Sequence, residues 1–211
     1  KRLLTRFSEA IARLAYYKSE AIVSVNKFNI KWEKMYGADP SKISIIYNGI
    51  DSDKFKPKPK PDHLKNVPTV VAAARIFELK DVITMIRSCA VVQKSIPDIQ
   101  YLIYGDDKAV PEYTDTCLHL IEELGIKENF RFMGPRSDSH NIFPEGDLSI
   151  LTSISEGFPY TVIESMSCGV PVVSTDVGGV KEALDENSGF LCKPKNAQEI
   201  GHRVIELLQN H

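Results

Sequence analysis

Two cations and two acids are spaced along this sequence as a ligand site would space them. Arg75 and Lys80 lie five residues apart in the turn AARIFELKD, with no other cation between them. A strand-end arginine and a helix-start lysine can converge on one anion. The guanidinium offers a planar donor fork and the ammonium a point charge, a pairing suited to a diphosphate. The plainer account is two surface cations that share no ligand. Further on, ISEGFPYTVIESMSCGVPVVST (154–175) sets Glu156 and Glu164 on either side of a turn shaped by Gly157 and Pro159. The turn runs through Phe158, Tyr160 and Thr161 into a helix. Helix N-termini carry unpaired N–H groups and a partial positive charge, and so attract phosphate. Carboxylates accept hydrogen bonds and suit hydroxyl-rich groups such as a sugar. Glu156 precedes the helix start. Glu164 lies one turn inside, where it could accept two ribose hydroxyl hydrogens. Thr161-x-x-Glu164 also fits a capping box, in which Glu164 would only satisfy backbone donors. The sequence leaves both roles open.

The elements around these groups follow from hydrophobic periodicity. TVVAAAR (69–75), IQYLIYG (99–105), NFRFMG (129–134), DLSILTS (147–153), VPVVST (170–175) and GFLCKP (189–194) read as strands. Helical patterns at 80–94, 111–124, 161–168, 178–184 and 197–210 alternate with them, and a short Pro-broken helix is expected at 137–146. Such alternation implies a Rossmann-like doubly wound parallel sheet, which binds ligands at the carboxyl ends of its strands. Gly105 ends one strand and would let the backbone pass close to a ligand. Gly134 ends the next, and with Pro135 and Arg136 forms a turn that could hold a planar base through backbone groups. A plain β-to-α turn is the alternative there. Neither G-x-x-x-x-G-K-[ST] nor G-x-G-x-x-G occurs, which removes the main support for a P-loop or an ordinary dinucleotide fold.

An earlier α-β-α-β run occupies residues 3–51 and ends on YNGID. Between the two parts, KFKPKPKPDHLKNVP (54–68) holds four prolines among lysines and reads as a solvated, extended linker without a core. The expected domains are 1–51, a linker at 52–67, and 68–211. Apolar residues make up 43% of the 211 and charged residues 26%, an ordinary globular balance. A net charge of −2 gives no reason to expect nucleic acid or an anionic membrane as the main partner, and leaves room for a local cationic cluster that binds a phosphate. Cys89, Cys117, Cys168 and Cys192 lie far apart in apolar contexts and read as reduced core thiols. The histidines show no metal spacing. No apolar run approaches the length of a membrane span. The chain begins at Lys1 and reads as a piece of a longer protein.

Taken together, these motifs resemble the retaining glycosyltransferases of family 4 (group 1). Glu156 and Glu164 match the family's E-x7-E, and Arg75 and Lys80 its R-x4-K. IIYNGID matches N-G-[IV]-D, and SEGFPYTVIESMSCGVPVVSTDVGG follows the family from S-x-x-E-G-F-P to D-x-G-G. The likeness covers nearly the whole chain, with four motifs in order. Ala74 departs from the usual glycine before the arginine, which tightens the turn but keeps the charge. PEYTDTC (111–117) is similar to the branch that makes Pel-type exopolysaccharide.

The resemblance implies the C-terminal half of a GT-B fold, preceded by the last segment of an N-terminal acceptor domain whose remainder is missing. It implies sugar transfer, with retained configuration, from a nucleoside-diphosphate sugar to a glycan or lipid-linked acceptor. Arg75, Lys80 and Glu156 would be the catalytic set. Gly105, Gly134, Arg136, Gly157, Phe158, Pro159, Tyr160, Thr161 and Glu164 would bind the donor. UDP is the expected carrier, with GDP second, and neither a cofactor nor a divalent metal is expected. The expected partners are nucleotide-sugar and acceptor, not nucleic acid. The expected location is the cytoplasm, with peripheral contact at the membrane inner face through the missing domain. Three rivals are a nucleotide-sugar 2-epimerase, a nucleotide-binding module that turns nothing over alone, and a structural scaffold in which the acid and cation positions are arbitrary.

Overall fold

The computed structural model describes residues 2–185 and 187–209, with side chains from residue 8 onward. The end of the expected last helix, Asn210, and the side chains of residues 3–7 in the first apolar stripe lie outside the described residues. Two compact units divide the chain, Lys1–Gly49 and Ile50–His211.

The first unit contains α1 (Arg2–Lys18), β1 (Ile22–Ser24), α2 (Ile30–Met35) and β2 (Ile43–Ile45). The two strands pair in parallel, Ile22 opposite Ile43. A short 3-10 turn leads into β2, capped by Asp39, which accepts the Ser41 N–H at 2.9 Å.

The second unit contains β3 (Thr69–Ala73), α3 (Val82–Gln93), β4 (Gln100–Tyr104), α4 (Pro111–Glu123), β5 (Phe130–Gly134) and β6 (Leu148–Leu151). After these come α5 (Tyr160–Ser167), β7 (Val172–Thr175), α6 (Val180–Ala183), β8 (Gly189–Cys192) and α7 (Ala197–Gln209). Its six strands are all parallel, in the order β5-β4-β3-β6-β7-β8. The winding direction reverses between β3 and β6, and a crevice for ligands opens beyond the carboxyl ends of strands at such a point.

Both sheet faces are covered, which explains strands that read as nearly unbroken apolar runs. Alternate side chains serve opposite cores. Val70, Ala72, Tyr101, Ile103, Leu148, Ile150 and Val173 pack under α3, α4 and α7. Val71, Leu102 and Tyr104 face Ile142, Phe143 and Val170 on the other side. Leu151 and Val172 meet Val162, Val180 and Leu184 of α5, α6 and the following turn. A polar tie joins β6 to α5, where Ser149 and Ser165 hydroxyls lie 2.7 Å apart. In place of the single short helix expected at 137–146 there are two 3-10 turns, Ser139–Asn141 and Phe143–Glu145.

The Pro/Lys stretch corrects the expectation of a solvated linker. Phe55 is 7% exposed and belongs to the second core. The Ser167 hydroxyl donates to the Phe55 carbonyl at 2.5 Å. Lys58 reaches Asn141 Oδ1 at 2.6 Å, and Lys60 reaches Asp147 Oδ2 and the Val67 carbonyl, each at 2.7 Å. The segment is a strap on the sheet domain. Its prolines deny it a helix or a ladder, but an extended chain can still insert one aromatic and pair its lysines. All four cysteines are free and buried. Burial pushes the thiols of Cys89, Cys117 and Cys192 up to about 12, and raises that of Cys168. No described helix is long and apolar enough to cross a membrane.

Candidate functional site

The loops that leave β3 and β6 are stitched together at the reversal of the sheet. Thr152 donates its hydroxyl to the carbonyls of Lys80 and Asp81 at 2.9 and 3.0 Å. The Ile154 N–H reaches the Leu79 carbonyl at 2.9 Å. Across this seam Lys80 Nζ meets Glu156 Oε1 at 2.6 Å. The Ser153 hydroxyl reaches the same oxygen at 2.6 Å. Oε2 of Glu156 takes neither bond. An ammonium has three donors, so Lys80 keeps hydrogens beyond the one spent on Glu156. The pair is largely covered, with side-chain exposures of 22% and 11%, so its charges are weakly screened. Arg75, on the same loop, is exposed and stands 5.1 Å over the Phe77 ring.

Around these loops, backbone approach requires glycine at two positions. A β-carbon at Gly105 would fall 1.9 Å from the Ala74 carbonyl oxygen. One at Gly178 would fall 1.7 Å from the Glu156 carbonyl oxygen, and Gly178 also holds φ +57. The neighbouring Gly179 N–H bonds the Gly157 carbonyl at 2.9 Å. The loop after β7 therefore lies directly on the Glu156–Gly157 turn. Thr175 adds a bond to the Ser153 carbonyl at 2.6 Å.

The turn delivers the chain to α5, whose N-cap is Pro159 and which has no side-chain cap bond. The capping box considered for Thr161 and Glu164 does not form. Thr161 sits inside the helix, two positions beyond the cap, and cannot act as one. Glu164 is half-buried, and burial raises its pKa, with Lys54 of the strap pulling the other way. Phe158 and Pro159 are themselves buried. Their side chains hold the turn and leave its backbone as the surface a ligand could meet. Tyr160 is exposed.

On the other side of β3, Gly105 N–H donates to the Gly134 carbonyl at 3.0 Å. The strand ends of β3, β4 and β5 thus touch in sequence. Arg136 is turned away into a cluster of its own: Nε and Nη2 bond Asp138 at 2.8 and 2.6 Å, and Nη1 bonds Glu145 at 2.5 Å. Its guanidinium lies 5.1 Å over the Tyr104 ring, and the Tyr104 hydroxyl bonds Glu145. Arg136 holds the Asp138 carboxyl well below the usual range. Burial, then Glu145, push the Tyr104 phenol up, so it remains a donor.

The structure thus brings Arg75, Lys80, Glu156 and Gly157 onto adjoining loops, and joins Gly105 to Gly134. It commits the Arg136 side chain elsewhere. Sequence reasoning missed Ser153, Thr152, Tyr104 and Glu145. Gly178 had a signal in DVGG, and Ser153 one in its position three before Glu156. A cavity of about 600 Å³ is lined by Lys181, Leu184, Asp185, Gly189, Phe190 and Leu191, none of them among these residues.

Sheet order and strand-end loops define a Rossmann-like domain with charged and polar groups gathered at its switch point. The family described as Glycosyl transferases group 1 matches residues 53–211. A D-inositol 3-phosphate glycosyltransferase of Mycobacterium sp. (strain KMS) is 32% identical over 187 residues, covering 82% of this chain and 41% of that protein. The N-acetyl-alpha-D-glucosaminyl L-malate synthase of Bacillus anthracis is 27% identical over 179 residues, covering 81% of this chain and 46% of that protein. The crystal structure of Anabaena Alr3699/HepE in complex with UDP has a TM-score of 0.88 at 23% identity, over 96% of this chain and 59% of that one. That likeness establishes the fold. The chain belongs to the group 1 glycosyltransferase family, and it spans less than half the length of these two curated relatives.

Proposed function

We propose that this chain is the donor-binding half of a retaining GT-B glycosyltransferase of family 4, taking a sugar from a nucleoside diphosphate, with UDP the first choice and GDP the second. The observation that carries this is the 2.6 Å contact of Lys80 with Glu156, which ties the R-x4-K loop to the first acid of E-x7-E at the crevice. The UDP bound in the Anabaena structure supports the choice of carrier.

In this proposal Arg75, Lys80 and the first amides of α5 face the diphosphate. As the bond from the sugar C1 to the leaving oxygen breaks, negative charge collects on the diphosphate. Fixed donors stabilise it most at that moment, at about 2–4 kcal/mol of barrier each. These charges stand in for a divalent metal, and no cofactor is called for. Glu156 offers Oε2 to sugar hydroxyls. Its other oxygen is held by Lys80 and Ser153, so the carboxylate is aimed before the sugar arrives. Glu164 takes the ribose hydroxyls, and backbone groups from Gly105 and Gly134 frame the base. The acceptor attacks from the face the leaving group departs, and its proton goes to the diphosphate.

The acceptor, a glycan or lipid-linked sugar, would be held by an N-terminal domain of which residues 1–49 are a part. Without an oriented acceptor this chain binds donor and transfers little. The PEYTDTC likeness and a lipid-linked acceptor favour exopolysaccharide synthesis at the cytoplasmic membrane face. A thermal-shift panel of UDP, GDP, ADP and their sugars tests the proposal. Stabilisation by one nucleotide family and its sugars is expected. No shift with any of them would end it.

A further inference from the structure

We propose that Arg136 is a positioning residue for base recognition. It is clamped by Tyr104, Asp138 and Glu145 so that the peptide groups around Gly134 keep one shape, and this rests on the donor-binding function proposed above. The backbone leaves regular pairing at this point. Ile103 faces Phe132 but Tyr104 faces Gly134, so Met133 is skipped and the β4–β5 register shifts. Gly134 then turns with φ +73. Pro135 follows and has no N–H to tie the loop down. Side chains must fix its shape, and the Arg136 guanidinium does so with three of its five donors.

Nε and Nη2 grip both oxygens of Asp138, and Nη1 grips Glu145. The Tyr104 hydroxyl holds the other Glu145 oxygen while its ring lies under the guanidinium. Asn141 Nδ2 joins Asp138 at 3.1 Å, and Lys58 of the strap joins Asn141. One connected set of bonds therefore spans β4, the Gly134–Asp138 loop, both 3-10 turns and the strap. The loop cannot move off the second 3-10 turn without parting the Arg136–Glu145 ion pair, and the Arg136–Asp138 pair stiffens it from within. Peptide groups that cannot move reject a wrong base edge, because its mismatch leaves buried donors and acceptors unpaired. Peptide groups that can move adapt to it. The clamp therefore sets base selectivity without touching the base. It has no part in holding phosphate.

The test is calorimetric titration of the full chain with UDP, GDP and inorganic pyrophosphate, for wild type, Arg136→Met, Arg136→Lys and Tyr104→Phe. Thermal melts identify any variant that fails to fold, and Tyr104→Phe, which removes only one hydroxyl, keeps the test decisive if Arg136→Met does not fold. Arg136→Met should lower affinity for the preferred nucleotide about tenfold and Tyr104→Phe about threefold, the size of one to two lost polar contacts. Both should narrow the UDP-to-GDP ratio and leave pyrophosphate affinity unchanged. Arg136→Lys should not rescue, because an ammonium cannot fork to two carboxylates. Folded variants with unchanged nucleotide affinity and ratio, or with equal losses for nucleotide and pyrophosphate, overturn the clamp alone. A wild-type chain that takes no nucleotide overturns the proposed function and the clamp with it.

Discussion

At the scale of single residues, Lys80 and Glu156 are a structural pair and, in the proposed function, part of the donor site. Removing the lysine leaves a largely covered carboxylate with only Ser153 bonded to it. Lys80→Ala should cost about 1–3 kcal/mol of stability and lower nucleoside-diphosphate affinity at least about tenfold. Arg75 is exposed, so Arg75→Ala should leave the melting temperature near wild type and still weaken diphosphate binding. Calorimetry beside thermal melts separates the two. Glu164 makes a different prediction. Burial raises its pKa, so the folded chain holds that proton more tightly than the unfolded chain. Its contribution to stability is full below the unfolded value of ~4.3 and is lost as pH rises through the raised folded value. Glu164→Gln should therefore melt with wild type in acid and at or above it at neutral pH. Wild-type nucleotide affinity should fall on acidification before the ordinary carboxylate range is reached, while Glu164→Gln stays flat. Titrations between about pH 4 and about pH 8 decide this. The meeting of Lys80 with Glu156 was legible in the sequence because both lie in strand-to-helix turns. The absence of a capping box at Glu164 was not, since that depends on where the helix begins, and Pro159 rather than Thr161 marks that point.

At the scale of elements, the site depends on loops lying close enough for backbone to touch backbone. Gly178 is the tightest case. Gly178→Ala would press a methyl into the Glu156 carbonyl and strain a positive φ, at about 2–4 kcal/mol. It should also displace the Glu156 turn and abolish nucleotide binding. Gly125→Ala is the control. Its φ of +65 is as unusual, but nothing lies within 4 Å, so about 1 kcal/mol of strain should leave binding unchanged. Urea unfolding and calorimetry on both variants make the comparison. The order of strands and helices was readable because the central strands are covered on both faces and so read as apolar runs bounded by turns. The register shift at Tyr104 was not, because FRFMG reads the same whether or not one residue is skipped. The broken helix expected at 137–146 resolves into two tight turns because Pro144 allows only one turn around it.

At the scale of the whole chain, the two units and the strap make separate predictions. Phe55→Ala should destabilise the second unit by about 3–5 kcal/mol, since that ring fills a core the prolines around it conceal from any compositional reading. A chain starting at residue 50 should remain folded and bind nucleotide, whereas one starting at residue 69 should melt well below it. Circular dichroism melts of the two deletions test this. The strap was misread because lysine and proline dominate its composition, and one aromatic among them carries no periodic signal. The four sulfurs tell the opposite story, since isolated cysteines in apolar runs announce their own enclosure. That enclosure has a practical consequence. A maleimide dye should find no native target on the folded chain, and Ellman's reagent should give no colour until the chain is denatured. One cysteine installed at an open position such as Tyr160 would then label cleanly, giving a fluorescent reporter of ligand arrival without first stripping out the native thiols.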